Sequence, residues 1–155
     1  AYGLNIAENF SISGVLAGEF GSYIKVNYNH INEATKLAIK AYDVRGVRTL
    51  NQKASLLSGG NAQKLVIARE FSRGPSIVIA HSPCRGLDVR ASSAVREYLL
   101  EARDRGGAVV LISEDLDEIL LMSDRIGVMS GGAIVAEFDT PANRNEIGKS
   151  MTGHV

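Results

Sequence analysis

The sequence predicts an α/β fold with a helical first part and a second part in which helices and strands alternate. Residues 1 to about 50 show helical periodicity and loop segments. From about Ser58 onward, helical segments alternate with short apolar runs. Two of these runs, "SIVIA" (76–80) and "AVVLI" (108–112), are apolar throughout, which is typical of parallel strands covered on both faces.

Two helices are predicted in the first part. A weak helical pattern covers "LNIAENFSI" (4–12), and "GEFGSYIKVNYN" (18–29) is predicted to be a loop because of its Gly and Asn residues. A stronger pattern covers "INEATKLAIKAYDV" (31–44), with Asn29 as a candidate N-cap. Its apolar stripe, spaced at three and four residues, consists of Ile31, Ala34, Leu37, Ala38, Ala41 and Tyr42.

The second part is predicted to wind between helices and strands. Helices are expected over 61–73, over 92–105 with Val95, Leu99 and Ala102 in register, and over 114–124. Two further strands, 125–129 and 133–138, are joined by a tight glycine turn, and 142–151 is expected to form a short terminal helix.

Composition excludes several classes of protein. A chain of 155 residues with 17 basic and 17 acidic side chains has no global field that would attract nucleic acid or anionic lipid. Its single cysteine, Cys84, rules out an internal disulfide framework or a multi-cysteine metal site, which favours a reducing cytosol. Its apolar runs fall short of the roughly 20 residues of a membrane helix, so we expect a soluble chain. Because it begins at Ala1, we expect either processing or a piece of something longer.

The stretch "LLSGGNAQK" (56–64) has the chemistry of an anion site. Glycines let a backbone approach a ligand closely, and the first N–H groups of a helix point outward with the positive end of the helix dipole. The Ser58 hydroxyl adds a donor. The alternative is that Ser58 only caps the helix and the glycines form the turn before it.

Four segments in order resemble ATP-binding-cassette ATPases over nearly the whole chain. "LLSGGNAQKLVIARE" (56–70) looks like their signature motif in the form typical of sugar and nucleoside importers. "SIVIAHSPCRGLDV" (76–89) resembles the Walker B strand and D-loop, and "AVVLISEDLDEILLMSDRIGVMSGGAIVAEF" (108–138) the switch region and the strands beyond it. "GLNIAENFSI" (3–12) resembles the start of the helical subdomain after the Q-loop.

The resemblance implies a truncated P-loop NTPase cassette of the RecA-like type. Residues 1–72 would form the helical signature subdomain, and 73–155 the C-terminal part of the RecA-like core. The family's Walker A loop and Q-loop would lie before residue 1. The parallel sheet would therefore lack its Walker A strand, which the family places between the switch strand (108–112) and the strand near Ile126.

At the hydrolytic positions the chain departs from the family. His81 stands where the family ends Walker B with a magnesium-binding aspartate, Ser82 where it has the catalytic glutamate, and Glu114 where it has the switch histidine. Neutral imidazole is a poor magnesium ligand, and a serine hydroxyl is too weak a base to accept a proton from water. An anionic Glu114 would repel a γ-phosphate. The implied site has no catalytic residue of its own and no metal ligand.

One alternative is that His81, Ser82 and Glu114 form a new hydrolytic trio. Adjacent residues at a strand end project to opposite faces, and no glycine elbow surrounds the serine. Eroded positions are therefore the favoured interpretation.

The resemblance also implies a function in trans. In this family two cassettes pack head to tail, and each ATP lies between the Walker A loop of one and the signature of the other. An intact signature would then complete the ATP and Mg²⁺ site of a partner cassette, as expected of the second, degenerate half of a tandem ATPase that is catalytically silent alone. Asp88 could contact the opposite subunit, or could cap the helix that follows it. The residues expected to bind the nucleotide are Ser58, Gly59, Gly60, Asn61 and Asp88.

The partners implied are an N-terminal or partner cassette, transmembrane permease subunits and, indirectly, a solute-binding protein, but no nucleic acid. The location implied is the cytoplasmic face of the cell membrane. "CRGLDV" (84–89), "LISEDLDEIL" (111–120) and "EIGKSMTG" (146–153) look like the second half of nucleoside importers, with ribose-type importers as the near alternative. A different class, a non-transport mechanical or regulatory module of translation or DNA repair, remains open. The neutral charge and lack of heptads favour transport.

Overall fold

A computed structural model describes residues 3–22 and 25–152 and divides the chain into two compact units. Unit 1 comprises Ala1–Val78 and Cys84–Ala108, and unit 2 comprises Ile79–Pro83 and Val109–Val155. The sequence-based division into 1–72 and 73–155 follows a family boundary rather than contact density, and it stays a prediction.

Unit 1 is built mainly from helices. Its elements are α1 (Ile6–Leu16), β1 (Gly21–Ser22), β2 (Lys25–Val26), α2 (Tyr28–Ala41), a 3₁₀ turn (Ala54–Leu56), α3 (Gly59–Phe71) and α4 (Val89–Asp104). The segment predicted as a loop contains β1 and β2, which pair antiparallel. The weak pattern at 4–12 is a true helix because Asn5 and Glu8 form a reciprocal capping box at its start.

Two details of the predicted α2 are wrong. Its N-cap is Asn27, whose side chain accepts from the His30 N–H at 3.1 Å, and not Asn29. Leu37 is 70% exposed, whereas Thr35 is fully buried and its hydroxyl donates to the Ile31 carbonyl at 2.7 Å. A helix turns about 100° per residue, so Leu37 lies more than about 100° from the face centred on Ile31 and Thr35. Ala41 is exposed as well.

The core of unit 1 surrounds α3. Leu65 and Ala68 of α3 are buried in one cluster with Ile6 and Phe10 of α1 and Ile31 of α2. On α4 the predicted register is confirmed, because Val95, Leu99 and Ala102 are all buried. The axis of α3 is thus fixed by apolar packing along most of its length.

β3 (Ile77–His81) and β4 (Ala108–Ile112) form a parallel pair. The Ala108 N–H donates to the Ser76 carbonyl at one end, and the Ser82 N–H donates to the Ile112 carbonyl at the other. Unit 2 continues with α5 (Leu116–Met122), β5 (Arg125–Ser130), β6 (Ala133–Asp139) and α6 (Arg144–Met151).

The glycine turn between β5 and β6 is confirmed. The two strands pair antiparallel, and Gly131 and Gly132 between them have φ angles of +58° and +84°. Within residues 3–22 and 25–152, no ladder joins the β3–β4 pair to the β5–β6 pair. The predicted parallel sheet with a gap is therefore confirmed.

The expectation that β3 and β4 are covered on both faces is wrong. Burial alternates along each strand, and Ile79, Val110 and Ile112 are 70%, 48% and 49% exposed. Continuous apolar runs predict two covered faces only where a layer packs on each side of the sheet. Here one apolar face meets solvent.

A second, smaller core lies under the β5–β6 hairpin, where Ile126 and Val128 pack with Ile147 of α6. No helix in the described part of the chain is both long enough and apolar enough to cross a bilayer.

We expect the 155-residue chain to self-associate through this sheet, because exposed apolar strands with unpaired edges attract other strands. The double variant Ile79→Lys, Val110→Lys should shift the sedimentation mass toward the monomer. Leu37→Lys is the control, since Leu37 and Ile79 are both 70% exposed but Leu37 lies on a helix. A monodisperse wild-type monomer, or an equal effect of the control, would contradict this expectation.

Candidate functional site

The first turn of α3 is open. Ser58 occupies the N-cap position, with φ −63° and ψ 157°, but its side chain makes no capping hydrogen bond. The first intrahelical bond runs from the Ala62 N–H to the Ser58 carbonyl at 2.8 Å. The N–H groups of Gly59, Gly60 and Asn61 therefore precede the helical ladder, as at any helix start. The alternative that the Ser58 side chain caps this helix is wrong.

Every other α-helix in the described ranges is capped at its N-terminus by an Asn or Asp side chain. The caps of α1, α2, α4, α5 and α6 are Asn5, Asn27, Asp88, Asp115 and Asn143. A capping oxygen satisfies N–H groups of the first turn and leaves less for a ligand. The first N–H groups of α3 are thus not occupied by a capping side chain, which leaves them available to bind an anion.

The Ser58 hydroxyl is oriented by Asn61. The Asn61 side-chain oxygen accepts from the Arg45 N–H at 2.7 Å, and the Asn61 amide nitrogen lies 2.9 Å from Ser58 Oγ. Because a backbone N–H can only donate, the carbonyl end of the amide must face Arg45, and the NH₂ end must donate to Ser58. The Ser58 oxygen is then an acceptor within the chain, and its proton is left to donate outward.

Segment 43–45 is clamped onto α3 by charges. Lys64 Nζ donates to the Asp43 carbonyl oxygen at 3.1 Å and to its carboxylate at 3.0 Å, while Arg45 Nε donates to the same carboxylate at 2.9 Å. Hydrogen bonds from Arg45, and next from Lys64, hold the pKa of Asp43 below its ordinary value. The carboxylate therefore stays ionised until the pH falls through that lowered pKa.

Little in the sequence indicates this clamp. Lys64 lies within the quoted signature, but its partner is 21 residues upstream in a loop without any motif. The one local signal is "DVRG" (43–46), in which an Asp and a Gly adopt positive φ angles of 47° and 80°.

The first turn of α3 approaches α4 through small residues. A Cβ placed on Gly60 would lie 3.1 Å from the Cβ of Ala91 on α4, whereas a Cβ on Gly59 would have nothing within 4 Å. Asp88 caps α4, its carboxylate accepting from the Ala91 N–H at 2.8 Å. The capping alternative for Asp88 is thus confirmed, and its contact with an opposite subunit stays a prediction.

The end of β3 in unit 2 has different chemistry. His81 and Glu114 are exposed, and Ser82 has a positive φ of 46°. No hydrogen bond in the described residues joins the side chains of His81, Ser82 and Glu114, so the structure does not assemble them into a hydrolytic trio. The nearby Ser113 hydroxyl instead donates to Glu118 Oε2 at 2.7 Å, on a Glu118 that is only 2% exposed.

This strand end does not fit a magnesium ion. Mg²⁺ takes hard oxygen ligands in octahedral geometry, and β3 ends in an imidazole and a hydroxyl. Across 3–22 and 25–152, no three His, Cys, Asp or Glu side chains are grouped closely enough to hold a metal.

The chain is similar in sequence to importer ATP-binding proteins. It is 43% identical over 153 residues to the glucose import ATP-binding protein of Haloferax volcanii, covering 97% of this chain and 28% of that protein. It is 40% identical over 152 residues to the nucleoside import ATP-binding protein of Lactococcus lactis subsp. cremoris, covering 97% and 30%. The chain thus spans less than a third of these relatives. No protein-family model matches it.

Solved structures show the same fold. A dimeric ATP-binding cassette bound to ADP and phosphate superimposes with a TM-score of 0.72 at 22% identity, over 92% of this chain and 60% of the other. An ATP-binding subunit of an ABC transporter gives 0.75 at 19% identity, over 98% and 64%. The fold is therefore that of part of a cassette, as predicted.

Two glycine variants test the close approach of α3 and α4. Alanine is favoured over glycine in a helix by up to about 1 kcal/mol, while overpacking costs about 1–3 kcal/mol. We expect Gly59→Ala to be neutral or stabilising and Gly60→Ala to be less stable than Gly59→Ala by about 1–3 kcal/mol. Urea unfolding followed by circular dichroism measures this difference. Equal stability of the two variants would show that Ala91 moves aside freely.

Proposed function

Because the chain is part of an ATP-binding cassette and a homologue of sugar and nucleoside import ATP-binding proteins, we propose that it supplies the signature half of an ATP site whose other half lies on a partner cassette. In this role the Ser58 hydroxyl and the first N–H groups of α3 donate to the γ-phosphate of ATP. Asp88 and the rest of the D-loop stand beside that phosphate and contact the partner.

The observation that carries this proposal is the open first turn of α3 with its oriented serine. A hydroxyl whose oxygen is already occupied by Asn61 can offer its proton to an outside acceptor. The N–H groups of the first turn add the positive end of the helix dipole, which suits a phosphate. A solved cassette of this fold is itself a dimer with ADP and phosphate, which supports a site shared between two chains.

The site on this chain's own side is proposed to be inactive in hydrolysis. Neither His81 nor Ser82 has the carboxylate that would hold magnesium or accept a proton from water, and Glu114 adds negative charge. The chain would therefore act as the silent half of a pair, and ATP and Mg²⁺ would be held mainly by the partner.

The names of the relatives, which refer to glucose, nucleoside and guanosine import, support a role in transport. We therefore assign the chain to an importer of nucleosides or simple sugars at the cytoplasmic face of the membrane, together with permease subunits and a solute-binding protein. Leu16, Tyr28 and Leu37, which are 74%, 71% and 70% exposed, give residues 1–72 apolar side chains for contact with the permease. Importer names among the relatives favour this role over a mechanical module.

Substitution of Ser58 tests the trans site in the complete transporter assembly that contains this chain. Removing one preorganised donor typically lowers turnover about 10²-fold, so Ser58→Ala should lower ATP turnover to about that extent. Ser58→Phe should lower it at least as far, because its ring fills the phosphate position. Ser55→Phe is the matched control, since Ser55 is an exposed serine in the preceding 3₁₀ turn. Unchanged ATP turnover in Ser58→Phe would contradict the proposal.

Alanine variants at His81, Ser82 and Glu114 test whether the site on this chain's own side is inactive in hydrolysis. We expect His81→Ala, Ser82→Ala and Glu114→Ala each to leave ATP turnover of the same assembly within about twofold, whereas loss of a working general base costs about 10²- to 10⁴-fold. Steady-state phosphate release measures this. A large loss in any of the three would show that this side also hydrolyses ATP.

A further inference from the structure

The Lys64–Asp43 pair is connected to Ser58 by the backbone from Asp43 to Arg45 and then by two hydrogen bonds, from Arg45 to Asn61 and from Asn61 to Ser58. Lys64 fixes Asp43 through both its carbonyl and its carboxylate, and two residues later the Arg45 N–H holds the Asn61 amide. Asn61 in turn holds the Ser58 hydroxyl at 2.9 Å. Removing the first contact weakens the attachment to α3 of the segment that orients the last one.

Helix geometry places the contacts of Lys64 and Asn61 with segment 43–45 side by side. Lys64 follows Asn61 by three residues, so both side chains project from the same face of α3 toward segment 43–45. The side chain of Lys64 is only 14% exposed, and its ammonium has Asp43 as its ion-pair partner at 3.0 Å. Packing of its methylene stem restricts this lysine, while the Asp43 side chain that its ammonium contacts is 52% exposed.

The backbone of Asp43 has the left-handed conformation that is common just after a helix C-terminus. Its φ of +47° lies in the left-handed region, which non-glycine residues adopt only when their surroundings hold them there. The double contact from Lys64 and the contact from Arg45 Nε are the side-chain interactions that hold it. Two backbone hydrogen bonds, from the Asp43 N–H to the Lys40 carbonyl and from the Val44 N–H to the Ile39 carbonyl, also hold this turn. Loss of Lys64 therefore removes a tie between the turn and α3 and loosens the position of the Arg45 N–H opposite Asn61, while the turn itself persists.

We propose that Lys64 and Asp43 are positioning residues that aim the Ser58 hydroxyl at the phosphate of a nucleotide held by a partner cassette. This inference rests on the proposed function of Ser58. Neither residue touches the nucleotide. They determine the direction of the Ser58 O–H bond. We therefore expect them to affect the rate of ATP turnover and to leave the affinity of the partner cassette for the nucleotide unchanged.

The test is ATP turnover, with ATP and Mg²⁺ as the probe, in the complete assembly with a competent partner cassette. Lys64→Met keeps the length of the side chain and removes its charge, and it should lower kcat about tenfold with little change in KM, less than loss of the hydroxyl itself. Asp43→Asn, which still tolerates a left-handed backbone, should lower kcat in the same direction. Lys64→Arg retains donors for both oxygens and should restore most of the turnover.

Lys36→Met is the control. It removes an exposed pair with Glu33 at 2.7 Å on α2 and should leave turnover unchanged. If Lys64→Met fails to assemble, Asp43→Asn and Lys64→Arg carry the test alone. Turnover unchanged in Asp43→Asn would overturn the proposal.

A double-mutant cycle separates positioning from a general structural role. In a Ser58→Ala background, Lys64→Met and Asp43→Asn should cause no further loss, because the group they aim is gone. Losses that add to that of Ser58→Ala would overturn the proposal. If Ser58→Ala alone leaves turnover unchanged, the proposed function fails and this inference with it. If Ser58→Ala lowers turnover but the Lys64 and Asp43 variants do not, only the positioning role fails.

Discussion

Unit 1 depends on the burial of the middle of α3. Ala68 is fully buried and Leu65 is 3% exposed, and α1, α2 and α4 all pack against this helix. Burying a leucine side chain stabilises a fold by about 1.5–3 kcal/mol, more than a typical single hydrogen bond. Apolar packing therefore sets the axis of α3, and the polar contacts at its first turn only adjust groups whose place is already fixed. Ser58 and Gly59 are exposed, but the helix that follows them is held in place by buried side chains.

Local patterns in the sequence predicted most of the helices and strands, because helical and strand periodicity depend on neighbouring residues. Val95 and Leu99 lie in the core, as their spacing indicates. Leu37 does not, since the three- and four-residue rule admits positions at the margin of a helix face, and only packing decides which of them are buried. The exposed faces of β3 and β4 were missed for a related reason. An apolar run reports what a complete sheet would bury, and coverage depends on elements elsewhere in the chain.

In the candidate site, too, some features are predictable from local sequence and others depend on tertiary contacts. Ser58 to Asn61 could be found from spacing because one helical turn contains the whole motif. The clamp from Asp43 could not, because it joins residues 21 positions apart and depends on how α2 and α3 pack. The orientation of the Asn61 amide also had to come from the structure, since it is determined by the backbone N–H of Arg45. Sequence thus identifies the groups of this site, while tertiary contacts determine the direction in which they point.

The uncapped start of α3 has a consequence for ionic strength. A phosphate held there would meet backbone N–H groups and one hydroxyl, while the nearby Lys64 charge is already matched by Asp43. Proteins that bind phosphates with free lysines and arginines displace counterions, and their affinity falls steeply as salt is added. Dipoles and neutral donors displace none, and their attraction acts only at short range. A phosphate held at α3 would accordingly lose less affinity with added salt than one held by free lysines and arginines.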